Sequence, residues 1–105
     1  MKLYIAVLDQ VPDYIVPTLV AHTMLGAHLT FVDNADYQNW LNTSFKKCVV
    51  RVNAAEFAKI SALPTVYLGH ENTTLNGIKS CAIPLPCNDA DRPNVLKFSK
   101  LWKPV

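Results

Sequence analysis

Residues 45–64 read FKKCVVRVNAAEFAKISALP, and the fold is decided there. Phe45 to Val52 is rich in β-branched residues and reads as a strand. Asn53 is a good helix N-cap, and Glu56 stands three residues later, as a capping box requires. Phe57, Ile60 and Leu63 then mark the buried stripe of a helix over Ala54–Ala62, which Pro64 ends. A strand that runs straight into a capped helix is the repeating step of an α/β domain.

Upstream, Leu3 to Leu8 is a continuous apolar run bounded by Asp9 and Gln10, the pattern of a strand buried on both faces. Pro12 and Asp13 mark a loop. Pro17 fits the first turn of a helix over Thr18–Ala27, with Gly26 near its stop. Leu29–Val32 reads as a short strand or extended link, and Asp33 or Asn34 caps a short helix over Ala35–Leu41. Downstream, Thr65–Leu68 is a third strand, residues 69–77 a polar loop, and Ile78–Leu85 a fourth strand bounded by Pro84 and Pro86. A final helix is expected over Pro93–Lys100, with Leu101–Val105 as a tail. The alternation predicts one α/β domain over residues 1–105, a four-stranded mixed β-sheet with helices on both faces. The short link between the last two strands predicts that they pair antiparallel.

Composition excludes several classes. The chain has 105 residues, half of them hydrophobic and 17% charged, so it can bury a core and is not disordered. No apolar run approaches the roughly 18–20 residues of a membrane span. Met1-Lys2 leads straight into LYIAVL, too short for a signal peptide and without a cleavage site, so a soluble cytoplasmic chain is expected. The net charge of +2 falls short of the excess common in duplex-binding proteins, but five basic and two acidic residues follow from Lys79 onward. Cys48, Cys81 and Cys87 form no CxxC motif and have no zinc-ligand spacing; they read as reduced, buried thiols, and no metal site is expected.

Four stretches carry a resemblance to the type II peptidyl-tRNA hydrolase family: KLYIAVLDQVP, LVAHTMLGA with His22 on the family's helix histidine, FKKCVVRVNAAEFAKI preceded by Trp40, and TTLNGIKSCAIPLPCNDADRPNVLKFSKLWKP. The resemblance implies a four-stranded mixed sheet with helices on both faces, hydrolysis of the ester joining a peptide to tRNA, no cofactor, tRNA as partner and a homodimer. Ile15 and Leu19 occupy the positions where the family carries a lysine and a glutamine, Gly69, His70 and Glu71 stand where it carries an aspartate before the loop threonine, and Pro12 and Pro17 replace its glycine-rich helix opening. Some relatives also lack these catalytic groups, so a non-catalytic module binding tRNA, a small ligand or a protein is the alternative reading.

Ester hydrolysis needs an activated water, a base and donors for the developing oxyanion. His22, Glu71 and Thr73 are the candidate catalytic residues. His22 can act as a base near neutral pH or serve as a core histidine bonded to backbone. Asp9 at a strand end, His70 in the polar loop, and Lys97 and Lys100 near the C-terminus are candidate substrate-binding residues. Trp40 reads as core, and Trp102 either stacks on RNA bases or packs on the core.

Overall fold

The apolar run at the start of the chain forms β1 (Lys2–Leu8), the central strand of the sheet. The computed structural model describes residues 1–72 and 76–103. Leu3, Ile5 and Val7 enter one core cluster and Tyr4 and Ala6 the other, so the strand is buried on both faces. This double burial is why the run shows no polar alternation.

The first face is covered by α1 (Val16–Phe31) and α2 (Ala35–Asn42). Val16, Leu19, Ala27 and Phe31 of α1 and Tyr37 and Trp40 of α2 pack on Leu3, Ile5 and Val7. Pro17 lies in the first turn of α1, as its sequence position predicts. Gly26 does not stop this helix, which runs on through the segment read as a link. A Cβ on Gly26 would lie 2.1 Å from the Tyr67 hydroxyl oxygen, so the glycine serves close approach and not termination. Asn34 caps α2 by accepting from the Tyr37 amide at 3.1 Å. Phe45 then takes a left-handed backbone (φ 55°) instead of opening a strand, and its ring stacks on Trp40 at 5.4 Å.

The capping box forms as read. Asn53 Oδ1 accepts from the Glu56 amide and Glu56 Oε1 from the Asn53 amide, both at 2.8 Å. It links β2 (Lys46–Val52) to α3 (Ala54–Ser61). Phe57 and Ile60 of α3 pack on the second face with Tyr4, Ala6, Val50, Val52 and Leu96.

β2 pairs parallel with β1 in the register Lys2↔Lys46 to Leu8↔Val52. β3 (Val66–His70) and β4 (Lys79–Pro84) pair antiparallel with one another, and β4 pairs antiparallel with β1. The predicted four strands become five. The helix expected over Pro93–Lys100 is only α4 (Asn94–Lys97), and the chain turns extended to add β5 (Lys100–Leu101) beside β2. The strand order is β3-β4-β1-β2-β5, an open mixed sheet with helices on both faces. No helix among the described residues is long and apolar enough to cross a membrane.

Candidate functional site

Two antiparallel steps, β1 to β4 and β4 to β3, make β3 run in the same direction as β1 and β2. The ends of all three therefore open on one rim of the sheet, where open α/β sheets take ligands. Two polar clefts lie on that rim.

The first cleft, about 390 Å³, is lined by His22 from α1, Tyr67, Gly69 and His70 from β3, and Glu71 and Asn72 beyond it. His22 is exposed on the outer side of α1, so the core reading of this histidine is wrong. Its neighbour Thr23 faces inward, 1% exposed, and donates from Oγ1 to the Leu19 carbonyl at 2.7 Å. Thr23 sits directly on Gly69: a Cβ there would lie 2.0 Å from the threonine oxygen. Absence of a side chain at Gly69 thus lets α1 approach β3 and brings His22 to His70 and Glu71. Glu71 is only 7% exposed, and its backbone carbonyl accepts from the Gly77 amide at 3.4 Å. His70 Nδ1 lies 3.0 Å from the Lys79 ammonium nitrogen.

The second cleft, about 350 Å³, is lined by Asp9, Arg51, Val52, Asn53, Glu56, Phe98 and Lys100. Two of its charged residues, Arg51 and Glu56, are tied into the fold, while Asp9 and Lys100 stand exposed. Arg51 donates to Asp13 Oδ1 at 2.8 Å and to the Lys103 carbonyl at 3.2 Å, and its guanidinium lies 5.9 Å from the centre of the Trp102 ring. Glu56 is half of the capping box.

The sequence candidates therefore divide. His22, His70 and Glu71 come together, and Asp9 joins Lys100 in the other cleft. Lys97 is exposed on α4 and lines neither. Thr73 lies outside the described residues. Trp40 is 1% exposed and is core; Trp102 is half-buried against the first core cluster. Leu19 is fully buried and Ile15 packs against the same cluster, and neither lines either cleft.

Sequence reasoning missed Tyr67 and Lys79. Tyr67 reads as one strand residue among several, yet it lines the cleft and its hydroxyl passes close to Gly26. Lys79 comes opposite His70 because a bulge follows Gly69. Continuing the regular register would set His70 against Ser80, and no local signal announces the slip.

The thiols offer no nucleophile. Burial pushes the Cys81 thiol up to about 12, against opposing hydrogen bonds from Thr23 and the Ala82 backbone. Burial also raises Cys48 and Cys87. A thiol raised in this way stays protonated near neutral pH and attacks poorly. Among the described residues, no group of three or more His, Cys, Asp or Glu is placed to hold a metal ion.

Fold and site together define an α/β domain with an open five-stranded mixed sheet and an imidazole-bearing cleft at its strand ends. No protein-family model and no curated protein matches the chain.

Proposed function

We propose that the chain is a divergent hydrolase of the type II peptidyl-tRNA hydrolase kind, cleaving the ester between peptide and tRNA in the first cleft. The observation that carries this reading is the convergence of His22, His70 and Glu71, from two separate parts of the chain, on one rim cleft. The fold is compatible with the resemblance, since an open mixed sheet with helices on both faces is what that family would require.

In this reading the His22 imidazole takes a proton from water as the water oxygen bonds to the ester carbonyl carbon. Negative charge then collects on the carbonyl oxygen, where a His70 N–H donates to it. Collapse of the tetrahedral intermediate breaks the bond to the ribose oxygen, which leaves with the proton held by His22. Glu71 supplies the carboxylate of the cleft. Lys97 and Lys100 stand exposed and would meet backbone phosphates of the tRNA.

The test is turnover of a peptidyl-tRNA by the purified protein. His22→Ala should lower kcat/KM by about 10²–10⁴-fold, the range a positioned acid–base group contributes. The variant should unfold at the same denaturant concentration as the parent, because His22 is exposed. Turnover no greater than in buffer alone ends the hydrolytic reading.

The burial of Leu19 in the core, with Ile15 packed against it, favours a second reading, a module that binds tRNA or another ligand without cleaving it. Retained tRNA binding without hydrolysis, weakening steeply with salt, would select it.

A further inference from the structure

We propose that Lys79 is a positioning residue that holds His70 in a single neutral tautomer, with the ring proton on Nε2. The inference rests on reading the first cleft as hydrolytic, but its central claim concerns the imidazole alone.

The contact is 3.0 Å between Lys79 Nζ and His70 Nδ1. An ammonium carries three donors and no acceptor. Nδ1 must therefore offer its lone pair, and a neutral ring that accepts at Nδ1 carries its proton on Nε2. A doubly protonated ring has no lone pair to offer Lys79. The geometry is built into the hairpin, since the bulge after Gly69 places His70 directly opposite Lys79 in the β3–β4 ladder. Bulges re-aim side chains in this way at functional sites. Among the described residues, the other polar side chains lining the cleft with His70 are His22, Tyr67, Glu71 and Asn72.

The consequence is a division of labour between two like side chains. With Nδ1 occupied by Lys79, His70 works through Nε2–H as a donor. It can polarise a carbonyl or hold an oxyanion, but it cannot take a proton at Nδ1 while the contact lasts. The base is then His22, which lines the same cleft from α1. Lys79 touches no substrate in this scheme and acts only through His70.

The test reads the ring nitrogens directly, by proton–nitrogen correlation spectroscopy of the histidines near pH 8, above the ordinary imidazole range of about 6.5. The wild-type protein should show His70 wholly as the Nε2–H tautomer. Lys79→Met should show a mixture with visible Nδ1–H. Lys79→Arg, which again presents only donors, should restore the single tautomer. With peptidyl-tRNA, Lys79→Met should lower kcat by up to about 10²-fold with KM little changed, the scale of losing one oxyanion donor, and Lys79→Arg should recover most of it. A wild-type ring populating both tautomers, or one unchanged in Lys79→Met, overturns the proposal. A tautomer that shifts while kcat holds overturns the positioning role. The spectrum needs no substrate, so a protein that fails to hydrolyse peptidyl-tRNA sinks the hydrolytic reading and still answers the question about Lys79.

Discussion

The two rim clefts are similar in volume and both carry ionisable groups, yet they do different things with them. In the cleft of Asp9, Arg51 and Lys100, the arginine braces the loop before α1 through Asp13, and Glu56 closes the cap of α3. Arg51 and Glu56 are thus engaged in local structure, while Asp9 and Lys100 stand exposed. In the cleft of His22, His70 and Glu71, one imidazole stands exposed on the outer side of a helix and another is held through a single ring nitrogen. The contrast teaches that a concentration of charge does not mark a site. What matters is whether hydrogen-bonding capacity is left over after the secondary structure has been capped and braced. Our proposal rests on the histidine cleft because two imidazoles meet there, although the second cleft has the more strongly charged lining.

The sharpest way to break this contrast is to move polarity into the inner side of α1. Leu19→Gln introduces the side chain that the resembling family carries at that position, but Leu19 is fully buried in the first core cluster, among apolar neighbours. A buried amide without partners, added to the loss of packing, should destabilise the protein by about 2–5 kcal/mol in urea unfolding. Turnover should not improve. A stable variant with faster hydrolysis would show that the inner side of α1 reaches the cleft after all. Gly69→Ala probes the same region with a smaller perturbation. The new methyl group meets the Thr23 side chain, itself 1% exposed, at 2.0 Å, so α1 must move away from β3. We expect a loss of about 1–3 kcal/mol, as for overpacked cores. Most of it should return in the double variant with Thr23→Ala, and a double-mutant cycle with no coupling would disprove the contact.

Local signals in the sequence were sufficient for part of this architecture. The Asn53–Glu56 capping box, the apolar run of β1 and Pro17 in the first turn of α1 are interactions among near neighbours, and each forms where it reads. Phe45 departs through a local turn against Trp40, but the other misreadings of the elements come from contacts between distant segments. Gly26 looks like a helix stop, but its missing side chain serves Tyr67, far along the chain. Lys100 and Leu101 have no strand pattern of their own and become β5 because the edge of β2 is available to pair with them. At the candidate site, His22, His70 and Glu71 were legible as polar groups with suitable chemistry. Their convergence was not, because it depends on Thr23 fitting over Gly69. Lys79 was invisible for a related reason: a one-residue bulge changes which side chain stands opposite His70.

The smallest expected effect lies in the second cleft and tests whether its charges are structural. Asp13→Asn keeps the shape of the side chain and removes the charge that pairs with Arg51 at 2.8 Å. Both side chains are partly exposed, at 26% for Arg51 and 30% for Asp13, so solvent screens the pair and the loss should be only about 0.2–1 kcal/mol. Raising the salt concentration should shrink the difference between parent and variant, because ions screen the parent's pair and leave the variant nothing comparable to lose. Peptidyl-tRNA turnover at saturating substrate should be unchanged, since the brace lies outside the histidine cleft. If kcat fell while stability held, the charged cleft would be taking part in the reaction, and the division between a cleft that supports the fold and a cleft that acts on substrate would have to be redrawn.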